Sequence, residues 1–219
     1  MSPSILEALT GFIPQLLPEM ILGLSACVLF LGATWKVKRH VWGVFALLAI
    51  AVAAVALLTT AVSLPTIEIA RTALSDMPQE EQSAAVEAIE ARLYAAPVVF
   101  NRLAIFFKAL ALFTGILLVL FGWNETGDEY AGEYHGCLLL IVAGIGLVGS
   151  ANDLITLFMA LELISIPTYV LLYLPRVDAR AQEAAMKYFL LSVFSSGLLL
   201  FGFSYQYGLT GTTNISAML

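Results

Sequence analysis

Six apolar segments, each close to the length of a bilayer crossing, succeed one another along this chain: residues 15–34, 42–63, 103–122, 136–151, 154–174 and 184–205. A hydrocarbon core about 30 Å thick is crossed by about 20 helical residues. Nothing in that core hydrogen-bonds an open backbone, so each run is predicted to close its own amide bonds as an α-helix. The fold class that follows is all-α, a polytopic membrane protein of about six transmembrane helices. The fourth run is the shortest. Only Ser150-Ala151-Asn152-Asp153 separates it from the fifth, which predicts a tight helical hairpin.

Composition agrees. The chain is 60% hydrophobic and 12% charged, with a mean hydropathy of +0.92, beyond the apolar content of ordinary soluble domains. The formal charge of −6 argues against nucleic-acid binding. Cys27 and Cys137 each lie in an apolar run and read as small buried hydrophobes rather than a disulfide. No metal-ligand spacing, phosphate loop or nucleophile elbow is present. His40 and His135 fall beside aromatic residues near segment ends and read as solvated interface side chains. Glu7 precedes the first apolar run in place of a basic stretch, which argues against a cleaved signal peptide.

Orientation follows from the basic residues. The first connection holds Lys36, Lys38 and Arg39, and the fifth holds Arg176 and Arg180. Both face the cytoplasm if the N-terminus is outside. The third connection, Asn124 to Tyr134, belongs on the same side although it has no Lys or Arg. The second, residues 64–101, is long and external. Within it Asp76 and Pro78 suit a helix start, and Val86, Ile89 and Leu93 share one face until Pro97. That face is flanked by Glu87 and Glu90, so it reads as a cover on neighbouring protein rather than as a lipid-binding helix.

Charged side chains inside the apolar runs carry the chemistry. Lys108, Glu162 and Lys187 fall within spans, and Glu19 lies at the mouth of the first, within reach of headgroups or water. Glu162 is the lone carboxylate of its run. A helix entering the hydrocarbon near Asp153 carries it about 14 Å deep at 1.5 Å per residue, near the midplane. A charge there costs at least about 2.5 kcal/mol on insertion scales, so proton or ion handling is the expected role. Ser165, Tyr169 and Tyr173 follow Glu162 at three, seven and eleven residues, on one helical face. That stripe suits a water-lined half-channel, or a face that joins helices by hydrogen bonds. Pro167 removes the bond to the carbonyl of Leu163 and predicts a kink beside the acid. Lys187 sits about one turn inside the sixth span, where a lysine either snorkels or relays protons. Lys108 reads as snorkelling outward. Gly146 with Ser150, and Ser192 with Ser196, have the spacing of closely packed helices.

The run Leu161-Glu162-Leu163-Ile164-Ser165-Ile166-Pro167, set within residues 152–169, resembles the antiporter-like subunits of respiratory complex I. So does Glu183-Ala184-Ala185-Met186-Lys187-Tyr188-Phe189. The tail Tyr207-Gly208-Leu209-Thr210-Gly211-Thr212-Thr213-Asn214 looks like the subunit N (chain 2) type. Leu17-Pro18-Glu19-Met20 and Asn101-Arg102-Leu103-Ala104-Ile105-Phe106-Phe107-Lys108 add weaker support. The match covers roughly residues 100–214.

The resemblance implies a division at residue 135. Residues 1–134 would hold helices 1–3 with the external connection at 64–101. Residues 135–219 would begin the first of two inverted repeats. Glu162 and Lys187 match the family's proton-relay glutamate and lysine. The function implied is that of a membrane-arm subunit of proton-translocating NADH:quinone oxidoreductase, partnered by other membrane-arm subunits and the lipid bilayer. No cofactor or metal is expected in this chain; NADH, FMN, iron–sulfur clusters and quinone would belong to the complex. A bacterial inner (cytoplasmic) membrane is the implied location. The seventh-helix lysine that partners the glutamate lies beyond Leu219, so the expectation is an N-terminal fragment or half of a split subunit, inactive alone. A subunit of a multisubunit cation/proton antiporter and a non-transporting scaffold are the alternatives.

Overall fold

A computed structural model describes residues 5–35, 37–62, 96–174 and 178–218. Six α-helices account for most of them: α1 Ile5–Gly32, α2 Arg39–Val62, α3 Arg102–Phe121, α4 Ala131–Val148, α5 Leu154–Tyr173 and α6 Ala179–Thr210. Each contains a stretch long and apolar enough to cross a membrane. Short 3-10 turns at Gly122–Asn124 and Ser216–Met218 complete the helical structure of the described residues. The expected helix around residues 76–97 lies almost wholly outside the described residues, as do Lys36 and Arg176.

Local chemistry sets the helix ends. Asn101, Asp153 and Asp178 cap α3, α5 and α6, accepting hydrogen bonds from the backbone N–H groups of Ala104, Ile155 and Ala181 at 2.7–2.8 Å. Gly211, with φ 68°, closes α6 in the left-handed region by donating to Tyr207 O at 2.8 Å. At 32 residues α6 is about 48 Å long, so it outreaches a hydrocarbon core of about 30 Å.

The fourth span begins earlier than expected. It runs from Ala131 rather than residue 136, because Gly132 packs directly on α1, where an added Cβ would stand 2.7 Å from that of Ala33. This overturns the solvated reading of His135, which is 1% exposed in the body of α4. His40 is exposed and accepts a 2.8 Å bond at Nδ1 from Trp123 Nε1. Cys137 is buried as expected; Cys27 is exposed on α1, a correction, because the buried face of that helix runs through Leu22, Ala26 and Leu29.

α4 is the hub. It packs against α1, α2, α3 and α5, whereas α6 packs principally on α5 and has no buried residue. Trp42, Ala46, Ala49, Ile50, Ala53 and Leu57 form the α2 stripe facing this core, at helical spacing. Close approach rests on small residues, since lipid gives little hydrophobic drive for helix association. At Gly144 an added Cβ would lie 2.7 Å from Ile164 Cγ1 and 3.1 Å from Ala160 O on α5.

The connections at the two ends are tied differently. At one end, Arg39 N donates to Asp128 Oδ1 at 3.1 Å, and the Arg39 guanidinium stands 3.9 Å from it. The first and third connections thus share an end, and the acidic third docks on the basic first. At the other end, the α4–α5 turn lies between two extended segments. Val99 N and Ser150 O, Asn152 N and Pro97 O, Leu154 N and Thr213 O, and Ile215 N and Asn152 O pair at 2.8–2.9 Å. Asn152 Nδ2 donates to Ala96 O, Ser216 Oγ donates to Asn152 Oδ1, and Thr213 Oγ1 donates to Asp153 Oδ2. This clasp joins the starts of α3 and α5 to the end of α6.

Candidate functional site in the transmembrane helices

Glu162 occupies the middle of α5, eight residues and about 12 Å along the axis from Leu154. Ser196 of α6 donates its hydroxyl hydrogen to Glu162 Oε1. The pair Ser192/Ser196 had suggested mere close packing. Instead Ser196 supplies the carboxylate with a partner from the neighbouring helix, a role that small-residue spacing alone does not reveal.

The polar stripe runs from this contact along the α5–α6 seam. Tyr169 stacks edge-on against Phe189 of α6, with ring centroids 5.3 Å apart. Glu162 opposite Ser196 and Tyr169 opposite Phe189 fix an antiparallel register, seven residues on each strand of the seam. Ser165 Oγ donates to Leu161 O at 2.9 Å and Thr168 Oγ1 to Ile164 O at 2.7 Å, so both hydroxyls bond back to α5 itself. Tyr173 is half-buried one turn beyond Tyr169, and Pro167 is buried within α5.

Lys187 is not brought to Glu162. Its Nζ pairs with Glu183 Oε1 at 2.5 Å on the same face of α6, and the lysine side chain is 71% exposed within this chain. Nine residues separate it from Ser196, about 14 Å along α6. The register places Lys187 level with the stretch of α5 between Tyr169 and Tyr173.

A second ionisable site appears on the other side of α4. Lys108 of α3 lies 3.0 Å and 3.1 Å from the two carboxylate oxygens of Glu19 on α1, and their side chains are 2% and 9% exposed. Lys108 Nζ also donates to Gln15 O at 2.7 Å and stands 5.4 Å from the Phe100 ring centre. This corrects two expectations: Lys108 does not snorkel outward, and Glu19 does not sit open at a helix mouth. The physical reason is Gly146 of α4, where an added Cβ would meet Glu19 Oε1 at 2.7 Å. The missing side chain leaves room for the carboxylate to turn inward to the lysine. Sequence spacing could not find this pair, because 89 residues separate its members. The signal available was that each is an unexplained charge in an apolar run.

Among the described residues no group of three or more His, Cys, Asp or Glu side chains is placed to hold a metal. The chemistry on offer is that of carboxylate, ammonium and hydroxyl groups in a low-dielectric setting, which is proton or cation exchange.

Known proteins are similar to this chain in sequence and in fold. Residues 151–219 match the family described as NADH:quinone oxidoreductase/Mrp antiporter, transmembrane. Subunit N 2 of NADH-quinone oxidoreductase from Solibacter usitatus is 36% identical over 140 residues, which are 63% of this chain and 28% of that protein. Subunit N 1 from Koribacter versatilis is 41% identical over 54% of this chain and 24% of its own length. Subunit N from Rhizorhabdus wittichii is 47% identical over 42% and 19% respectively. A chain of respiratory complex I from Thermus thermophilus superposes with a TM-score of 0.63 at 23% identity, covering 90% of this chain and 38% of that one, a likeness of fold. The chain thus spans under a third of the length of these relatives of known sequence. Six helices long and apolar enough to cross a membrane, together with these likenesses, describe an integral membrane protein similar in sequence to part of the subunit N of NADH-quinone oxidoreductases.

Proposed function

We propose that the chain contributes to proton translocation in the membrane arm of an NADH:quinone oxidoreductase, coupled to electron transfer from NADH to quinone. The observation that carries this reading is Glu162, a mid-helix carboxylate bonded to Ser196 of the adjacent helix and continued by the Tyr169–Phe189 seam toward Lys187. A carboxylate held at this depth binds a proton when a neighbouring positive charge withdraws and releases it when that charge returns. Glu162 is the exchanging group, Ser196 orients it, and the stripe of Ser165, Tyr169 and Tyr173 lines the turns toward Lys187, which takes the charge onward after parting from Glu183. Pro167 frees the Leu163 carbonyl beside this path.

On this reading the chain works only among other membrane-arm subunits, and it carries no cofactor of its own; flavin, iron–sulfur and quinone chemistry belong elsewhere in the complex. It resides in a bacterial inner membrane with the N-terminus outside. On the same reading residues 135–219 belong to the first of two inverted repeats.

The test is Glu162→Gln in the assembled complex. The variant should assemble, with NADH-driven proton pumping and coupled quinone reduction strongly reduced, and Glu162→Asp should keep part of both. Pumping at the wild-type level in Glu162→Gln would make the residue structural. The family description also names Mrp antiporters, and sodium-dependent proton flux without NADH oxidation in vesicles carrying the full-length protein would favour that relative instead.

A further inference from the structure

The Glu19–Lys108 pair has no part in the path just described, yet it is the most enclosed charge in the described chain. We propose that it is a second proton-exchange site, on the α1–α3 side of α4. It rests on the reading of the protein as a proton translocator and adds a site to it.

Three observations favour exchange over simple bracing. First, Lys108 has partners that survive loss of the Glu19 charge: the Gln15 carbonyl at 2.7 Å and the Phe100 ring at 5.4 Å. A proton arriving from water can form an O–H bond at a Glu19 carboxylate oxygen without leaving the ammonium bare. The reverse step breaks that O–H bond, returns the proton to water and restores the ion pair. Second, Gln15 Oε1 is buried and, among the described residues, has no hydrogen-bond partner. Gln15 lies four residues before Glu19 on the same face of α1, so it is an acceptor for water at the carboxylate, and buried acceptors of this kind are ordinarily filled. Third, Gly146 holds the carboxylate oxygen at a distance that no larger residue allows, 2.7 Å from where a Cβ would stand. α4 thereby touches Glu19 through Gly146 and packs through Gly144 on α5, the helix that carries Glu162.

The experiment uses the full-length subunit in its assembled complex, in inverted membrane vesicles. Glu19→Gln, Lys108→Met, the double variant Glu19→Gln/Lys108→Met and Gly146→Ala are compared for complex content and for protons pumped per NADH oxidised. A pair that only braces the helices can be replaced by two uncharged residues at little cost, because removal of both partners leaves no lone buried charge. An exchange site cannot. The expected result is a double variant assembled to wild-type amounts with proton yield reduced at least about threefold, and a smaller loss in Gly146→Ala. A double variant that pumps at the wild-type yield overturns the proposal, and so does failure of both single and double variants to assemble, which would make the pair a structural brace. Glu162→Gln run in parallel separates the two readings. Loss of pumping there with a normal double variant removes only this second site, whereas a defect in the double variant beside normal Glu162→Gln removes only the Glu162 path.

Discussion

Ser196 of α6 donates to the carboxylate of Glu162 on α5, across 34 positions of sequence. A hydrogen bond to a charged group contributes about 1.5–3 kcal/mol. Ser196→Ala should therefore weaken the function assigned to Glu162 without abolishing it. The expected loss of NADH-coupled proton pumping is about tenfold, the lower end of that range at about 1.4 kcal/mol per decade, milder than in Glu162→Gln, and Ser196→Thr, which keeps the hydroxyl, should retain most of it. Vesicle pumping assays on the three variants give the order.

Gly144 sets the separation of α4 and α5. An added Cβ would press on Ile164 and on the Ala160 carbonyl, and overpacking of this kind costs about 1–3 kcal/mol. Gly197 on α6 has nothing within 4 Å of its Cβ position. Gly144→Ala should lower the thermal midpoint of the 219-residue protein in detergent, while Gly197→Ala, at a position open within this chain, should leave it unchanged or raise it, since Ala is favoured in a helix by about 1 kcal/mol.

Asp153 serves two elements at once. Its Oδ1 accepts from Ile155 N at 2.8 Å to cap α5, and its Oδ2 accepts from Thr213 Oγ1 at 2.6 Å beyond α6. Asp153→Ala loses both, with a capping cost of about 1 kcal/mol alone. Thr213→Val loses only the second. Thermal unfolding should rank the wild type above Thr213→Val, and Thr213→Val above Asp153→Ala.

The tie between Arg39 and Asp128 places the first and third connections at one end of the bundle, and the clasp around Asn152 places Thr212 at the other. In a cysteine-free background, Lys38→Cys and Asp128→Cys should label with an impermeant maleimide from the same side, and Thr212→Cys from the opposite side. Labelling of all three from one side would contradict the arrangement.

Most of the architecture was legible because it depends on local properties. Apolar runs of bilayer length become helices wherever the backbone lacks water to bond, and the fifth run entered the hydrocarbon near Asp153 by its hydropathy alone. Glu162 stood out for the same reason, as a charge within an apolar run. The start of α4 was misplaced by five residues because Gly132 to His135 look polar and loop-like; their burial depends on α1 lying beside them, which no local pattern records.

The pairings were decided by the tertiary structure. Ser196 looked like packing until α6 set it against Glu162. Lys108 and Glu19 looked like two separate end-of-helix charges until α4, bare at Gly146, let them meet. A helix period states which residues share a face; it does not state which face of another helix that side will meet, and the partner of a buried charge is set by that meeting. Sequence thus determined that this chain crosses the membrane and that Glu162 is its central acid. Helix packing decided that Glu162 is held by Ser196 and that Lys108 is buried against Glu19, because a charge in low dielectric persists only where a third dimension supplies its counterpart.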